Sequence, residues 1–356
     1  MKSKIITFPE KQKWNDFVAA SPFSSVLQSY EWGELKSRFG WHPIRIALED
    51  NNNNIVAGIS LLKREIPFIR HSFLYAPRGP IVDLTNQDLV HELLEVVEKE
   101  AERNHALSLK IDPEIPESYR AGKNILEPFG FIRSAKQVQP RATMIVDIQP
   151  DLNLIMASFE EKTRYNIRLA EKKGVIVKEE RSEKGIDLFY ESYIETAKRD
   201  KFIIHPKTYY QRIREIMFSA GLGTTFIAYK DDKAIAGVII FAFGGKIWYM
   251  YGASSALFRN LMPNHLLHWE IIKWGKERGY KEYDLWGIPA NPKEGHPLFG
   301  VYRFKKGFNG KLVKYIGAYD FPYSPLFYYP LEYAMTSWQN IRSLIKKGKI
   351  SDSLGE

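Results

Sequence analysis

Trp14, Phe17 and Val18 mark the apolar side of one N-terminal helix, and Trp32, Leu35 and Phe39, at i, i+3 and i+7, mark a second. The period then changes. Ile46-Ala47-Leu48-Glu49-Asp50, four Asn and Ile55-Val56-Ala57-Gly58-Ile59 read as strand, polar turn, strand. A helical pattern returns around Leu93-Leu94-Glu95-Val96-Val97 and runs to Glu102-Arg103-Asn104, followed by a short strand, Leu107 to Ile111. Thr85-x-x-Asp88 and Ser158-x-x-Glu161 are capping-box patterns, each expected to open a helix.

The same order then recurs. Leu188, Phe189, Tyr193 and Ala197 mark a helix, and Tyr209, Ile213, Ile216 and Met217 mark the next, after the helix-start residue Pro206. Ile227 to Val238 repeats the strand, turn and strand; Leu266-Leu267 to Glu277-Arg278-Gly279 repeats the helix; Tyr283-Asp284-Leu285-Trp286 repeats the short strand. Phe129-Gly130-Phe131 mirrors Lys306-Gly307-Phe308. The offsets are 179 (Gly58 to Gly237), 175 (Arg103 to Arg278) and 177 (Gly130 to Gly307), too uniform for chance matches. The chain reads as two copies of one α/β (α+β) unit, 1–150 and 151–317, with a tail over 318–356. The unit order resembles the acetyltransferase-like (GNAT) fold, so two tandem GNAT-like domains are expected; a fold by itself does not give a function.

Ala234 to Phe258, with Lys246 its only charge, imitates a membrane span. Gly244-Gly245-Lys246 breaks it, and the β-branched and aromatic runs on either side predict two buried strands rather than the ~20 unbroken apolar residues of a spanning helix.

Composition narrows the chemistry. The 356 residues contain no cysteine, which removes disulfides, thiolate nucleophiles, zinc fingers and iron–sulfur clusters together. Met1-Lys2-Ser3-Lys4 is followed only by Ile5-Ile6, without the apolar core of a signal peptide, so a cytoplasmic protein is expected. His265 and His268 sit three apart on a helix without a carboxylate to complete a metal set; they read as partly buried histidines, and no metal is expected. A GNAT enzyme cradles the cofactor's pyrophosphate on a glycine-rich turn at a helix N-terminus. The corresponding stretch, Arg259-Asn260-Leu261-Met262-Pro263-Asn264, has no glycine, and Asp83-Leu84-Thr85-Asn86 in the first copy carries an acid. Acyl-CoA is therefore disfavoured, no cofactor is expected, and another carrier should bring the acyl group.

Lys and Arg number 51 against 42 Asp and Glu, a net +9 that suggests an anionic partner. Lys36 lies at i+4 from Trp32 on the second helix of copy one, and Arg212 at i+3 from Tyr209 on the equivalent helix of copy two. Two such cations facing each other would clamp a diphosphate; two solvated helix-surface cations are the alternative. From Gly295 to Tyr319, Arg303, Lys305, Lys306, Lys311 and Lys314 interleave with Tyr302, Phe304, Phe308 and Tyr315 and no acid. That pattern suits an RNA end with stackable bases, or a charged edge strand carrying core aromatics. Arg164, Arg168 and Lys172 form a basic helical stripe, although Glu160 can pair with Arg164 and leave a plain solvated face.

Several of these segments resemble one family. Gln28-Ser29-Tyr30-Glu31-Trp32-Gly33-Glu34-Leu35-Lys36, Tyr75-Ala76-Pro77-Arg78-Gly79-Pro80, Lys162 to Ala170, Trp248-Tyr249-Met250-Tyr251-Gly252, and Tyr283-Asp284-Leu285-Trp286-Gly287-Ile288 with Tyr302-Arg303-Phe304-Lys305-Lys306-Gly307-Phe308 are similar to the Fem family of peptidoglycan bridge-forming aminoacyltransferases. The resemblance spans about residues 20–320. It implies two GNAT-like domains and aminoacyl-tRNA in place of acyl-CoA. The acceptor it implies is the stem peptide of a muramyl-pentapeptide precursor, UDP-linked or lipid-linked. It implies that Lys36 and Arg212 hold the precursor's diphosphate, that Phe304 and Lys305 meet the aminoacyl-tRNA end and the reacting carbonyl, and that Tyr251 and Asp112 line the same cleft. The chain departs from some members in lacking a long charged coiled-coil hairpin in copy two, and in carrying Trp286 where some have glycine.

Two rival readings stand beside this one: an acyl-CoA-dependent N-acyltransferase on the same fold, and a non-catalytic tRNA- or membrane-binding module. The tail, Phe321 to Pro330 and then Leu331 to Lys347, is aromatic first and basic last. It is expected either to rest on the inner face of the plasma membrane or to pack on the first domain.

Overall fold

The computed structural model describes residues 1–119 and 124–330. The chain forms two compact units. Unit 1 comprises Met1–Ala142, Pro289–Leu298 and the chain from Lys314; unit 2 comprises Thr143–Ile288 and Phe299–Val313.

Unit 1 runs β1 (Lys2–Ile5), α1 (Lys11–Ala20), α2 (Tyr30–Ser37), β2 (His42–Glu49), β3 (Ile55–Glu65), β4 (Ser72–Ala76), α3 (Gln87–Arg103), β5 (Ala106–Ile111) and β6 (Ile132–Arg133). The second sheet and its helices follow as β7 (Ala142–Asp147), α4 (Leu152–Ser158), α5 (Glu161–Lys172), β8 (Ile176–Glu179), α6 (Glu183–Asp200), α7 (Lys207–Ile213), β9 (Gly223–Lys230), β10 (Lys233–Phe243), β11 (Lys246–Ser254), α8 (Pro263–Glu277), β12 (Glu282–Ile288), α9 (Phe299–Lys306) and β13 (Lys311–Lys314). β14 (Tyr319–Pro322) belongs to the first sheet. The sheet orders are β1-β2-β3-β4-β5-β14-β6 and β13-β7-β12-β11-β10-β9-β8.

The duplication is structural. In each unit an antiparallel ladder (β2–β3–β4; β9–β10–β11) leads into a parallel pair, β4–β5 or β11–β12, with α3 or α8 as the crossover. In α3, Leu89, Val90, Leu93, Val97 and Ala101 are buried at helical spacing and pack on Ile46, Ile59, Leu61, Leu74 and Leu109 of the sheet. The repeated glycines share one cause. A Cβ on Gly58 would lie 2.7 Å from the Trp14 ring, and one on Gly237 would lie 3.2 Å from the Phe189 ring, so each lets a helix, α1 or α6, approach the second strand of its hairpin. Gly130 and Gly307 do not match in this way. Gly130 has φ 83° after a tight turn, whereas Gly307 is required because a Cβ would fall 2.2 Å from Thr163 Oγ1.

Ala234 to Phe258 forms the β10–β11 hairpin, and among the described residues no helix is long and apolar enough to cross a membrane. Of the tail, β14 pairs with β5 (Phe321 opposite Leu109), while the basic stretch beyond Pro330 lies outside the described residues. Neither Thr85 nor Ser158 caps the start of a helix. Thr85 turns its hydroxyl to Asp83, and Asn86 caps α3 by accepting from the Leu89 N–H at 3.1 Å. Ser158 closes α4, donating to the Ile155 carbonyl at 2.7 Å, because a hydroxyl at a helix end readily bonds its own preceding turn.

Candidate active site

The basic and aromatic stretch divides: Lys311 and Lys314 lie on β13, at the edge of the second sheet, whereas Phe299–Lys306 is helix α9, whose cations fall on different faces. Arg303 and Lys306 are exposed, and Lys305 is buried, with only 5% of its surface left. Its ammonium donates to the Gly287 carbonyl at 2.8 Å and the Trp286 carbonyl at 3.2 Å, and lies 5.4 Å from the Tyr249 ring centroid. Removal from water penalises the charged form and pulls Lys305 down to about 7, against a smaller opposing pull from the Asp284 carboxylate. Near neutral pH it can therefore present a cation or give up its proton.

The carbonyls that hold it come from a specific turn at the end of β12. Asp284 accepts the Trp286 N–H at 2.7 Å and also the Thr143 hydroxyl, which lies 3.1 Å from the Trp286 carbonyl. Trp286 sits at φ 60°, a left-handed conformation that costs a bulky residue ~1–3 kcal/mol. The buried Asp284 carboxylate and Thr143 hold that turn in place.

Phe304, half-buried, faces the α8 histidines, with ring centroids 5.1 Å from His265 and 5.3 Å from His268. His268 is buried, and its Nδ1 meets the Tyr283 hydroxyl at 2.7 Å; burial, reinforced by the Lys305 charge, pushes its pKa down to about 3. Burial likewise takes His265 to about 4, and Asn166 approaches its Nε2 at 3.1 Å. Both rings are neutral walls at physiological pH; His265 is partly buried, as expected, whereas His268 is buried outright.

Tyr251, on β11, belongs to a cluster with Tyr193, Tyr209 and Tyr210; its hydroxyl is 3.5 Å from that of Tyr209. Arg212, near the end of α7, is half exposed and ion-paired with Glu215. In unit 1, Lys36 is half-buried with its ammonium 4.6 Å from the Trp32 ring centroid, as the i+4 spacing implies. Asp112 is buried; its oxygens accept the Tyr75 hydroxyl at 2.8 Å and the Arg78 N–H at 2.7 Å. Burial raises its pKa to about 6, with Arg78 opposing. The structure thus brings Lys305, Phe304 and Tyr249 together in unit 2, while Lys36 and Asp112 belong to unit 1.

The basic stripe on α5 is interrupted, because Arg164 turns back to the Phe159 and Ala157 carbonyls at the end of α4, leaving Arg168 and Lys172 exposed. At the would-be phosphate turn, Met262 is left-handed (φ 55°) and Pro263 opens α8, so the helix start presents one N–H fewer to an anion. Sequence reasoning missed Thr143, Asp284 and Tyr249. The Asp-x-Trp spacing at 284–286 is a readable turn signal, but the Thr143 contact, 141 residues distant, has no local trace.

The model of a family described as the FemAB family matches residues 10–128, 129–219 and 222–336. A lipid II:glycine glycyltransferase of Staphylococcus saprophyticus is 26% identical over 408 residues, covering 95% of this chain and 96% of the relative. One of Staphylococcus aureus is 26% identical over 386 residues, covering 87% and 91%. Among solved structures, a crystal structure of FemX superposes with a TM-score of 0.86 at 24% identity, over 93% of this chain and all of that one. A tandem GNAT protein from the clavulanic acid biosynthesis pathway superposes with a TM-score of 0.53 at 10% identity, covering 90% and 98%, and shares the fold.

Proposed function

The chain belongs to the FemAB family, and from that premise we propose that it is an aminoacyltransferase moving an amino acid from aminoacyl-tRNA to the stem peptide of a muramyl-pentapeptide precursor of peptidoglycan. The observation that carries the reading is Lys305: a buried cation, held by two carbonyls and flanked by Phe304, on a helix whose other basic residues face solvent. Relatives named as lipid II:glycine glycyltransferases support a lipid-linked acceptor.

The reaction needs little covalent help, since the ester is already activated. The acceptor amine, once deprotonated, attacks the ester carbonyl carbon. Its electron pair forms the new C–N bond, and the carbonyl oxygen becomes an oxyanion beside the Lys305 ammonium. Collapse expels the ribose oxygen of the tRNA end, which takes up the proton lost by the amine, leaving an amide. Holding both substrates in one complex supplies much of the remaining acceleration. Phe304 offers a ring to the terminal base or aminoacyl group. Lys36 and Arg212 are assigned to the precursor's diphosphate, Arg212 by a fork and Lys36 as a point charge. Tyr251 and Asp112 are assigned to the walls of the acceptor site, Asp112 through the Tyr75 hydroxyl and the Arg78 turn that it holds.

Incubation with charged tRNA and either UDP-linked or lipid-linked muramyl pentapeptide tests the reading. Mass spectrometry should show one added residue, abolished by ribonuclease. A product formed from acetyl-CoA and indifferent to ribonuclease would instead favour the acyl-CoA reading.

A further inference from the structure

Three observations converge at one end of the first sheet. The β3–β4 hairpin, closed by the Ile66 N–H on the His71 carbonyl at 2.9 Å, carries Ile66-Pro67-Phe68-Ile69 at its tip. Phe68 is fully exposed (106%) and Ile69 is 45% exposed. Phe68 also has φ 70°, a conformation that bulky residues avoid, so an apolar ring is held out into solvent at a backbone cost.

The described part of the tail runs to the same edge of the fold. Glu65 pairs with Ser72, Ser72 with Ala106, and Pro322 with Ser108, which puts the ends of β3, β4, β5 and β14 at the same end of the sheet. The Tyr323 and Ser324 N–H groups bond the Leu107 carbonyl there, and Phe327 meets the His71 ring at 5.8 Å. The tail's aromatics therefore divide: Tyr328 is buried and donates to Asp320, whereas Leu326 (86%) and Phe327 (55%) remain exposed beside the hairpin base.

Lys63, Arg64 and Arg70 stand against Glu65 alone between residues 63 and 71, a surplus of two, and Glu65 is itself paired with Lys63 at 3.2 Å. Apolar side chains at a tip with cations just behind them match a bilayer's layers: an apolar interior under anionic headgroups.

We propose that this end of unit 1 docks on an anionic lipid bilayer, with Phe68 and Ile69 as the inserting wedge, Leu326 and Phe327 beside them, and Arg64 and Arg70 at the headgroup level. The inference goes beyond the transfer reaction and does not depend on it. A surface of this kind would hold the enzyme in the plane of a lipid-linked substrate.

The cysteine-free sequence makes the test direct, because Phe68→Cys gives a single labelling site for an environment-sensitive nitrobenzoxadiazole probe. With vesicles of phosphatidylglycerol and phosphatidylcholine, the emission should shift to the blue and be quenched by spin-labelled lipid. The effect should weaken in high salt as the Debye length falls from ~10 Å to ~3 Å. The same probe at Asp232→Cys, an exposed turn of unit 2, should not respond. Phe68→Ser with Phe327→Ser should lower vesicle binding about tenfold, with the thermal midpoint unchanged. An unresponsive probe overturns the proposal. So does an equal response at residue 232, which means general adsorption, or a blue shift that grows with protein concentration without vesicles, which assigns the patch to a second copy of the chain.

Discussion

Asp284 accepts the Trp286 N–H at 2.7 Å, and the carbonyl of that same Trp286 accepts from Lys305 at 3.2 Å, so one residue joins the buried carboxylate to the buried ammonium. Asp284→Asn keeps an acceptor for the N–H and removes the charge that supports the Lys305 cation. Lys305 should then lose its proton at lower pH, and the alkaline limb of the single-turnover pH–rate profile should move down with it. An unmoved limb would separate the two residues electrically.

Lys305 also leaves a mark on folding. Its pKa is about 7 in the folded chain, below the ordinary lysine value of 10.5, so between those values the unfolded chain binds more protons. The stability cost of burying the cation is full below about 7 and is relieved as pH rises toward 10.5. Wild type should thus gain stability over that interval relative to Lys305→Met, measured by urea unfolding at a series of pH values. Parallel curves would mean that the ammonium is solvated in the folded state.

The diphosphate assignment can be tested from both units. Lys36→Ala should weaken binding of the UDP-linked precursor while leaving tRNA affinity nearly unchanged. Because Arg212 is held by Glu215 in an exposed pair worth at most ~1 kcal/mol, Glu215→Gln should tighten precursor binding by up to about fivefold. Equal loss of both ligands in Lys36→Ala would contradict the assignment.

A Cβ added at Gly58 would lie 2.7 Å from the Trp14 ring and 3.0 Å from the Ile46 carbonyl, neither of which can yield easily. Gly58→Ala should cost ~1–3 kcal/mol in denaturant unfolding. Gly237→Ala should cost less, since the nearest atom to its new Cβ would be the Ile227 terminal methyl at 2.9 Å.

The repeat was readable because its units are local: Trp14 and Phe189 announce their helices, and Gly58 and Gly237 their hairpins. The cation on α2 was readable too, since Lys36 and Trp32 are one helical turn apart. The direction of Lys305 was not. Alternating basic and aromatic residues fit a strand as well as a helix, and only the helical turn of α9 sends Lys305 inward and its neighbours out. Ser158 misled because a hydroxyl serves equally well to open one helix or to close another, and the closeness of α4 to α5 decides between them. Nothing local marks Thr143 as the partner of Asp284, a contact made only when β7 and β12 enter the same sheet.

The sharpest measurement is the single-turnover rate of Lys305→Ala with charged tRNA and muramyl pentapeptide both saturating. Loss of the oxyanion's cation should slow the chemical step by ~10²–10³ with both substrates still bound. A rate within a few-fold of wild type would contradict the role given to Lys305.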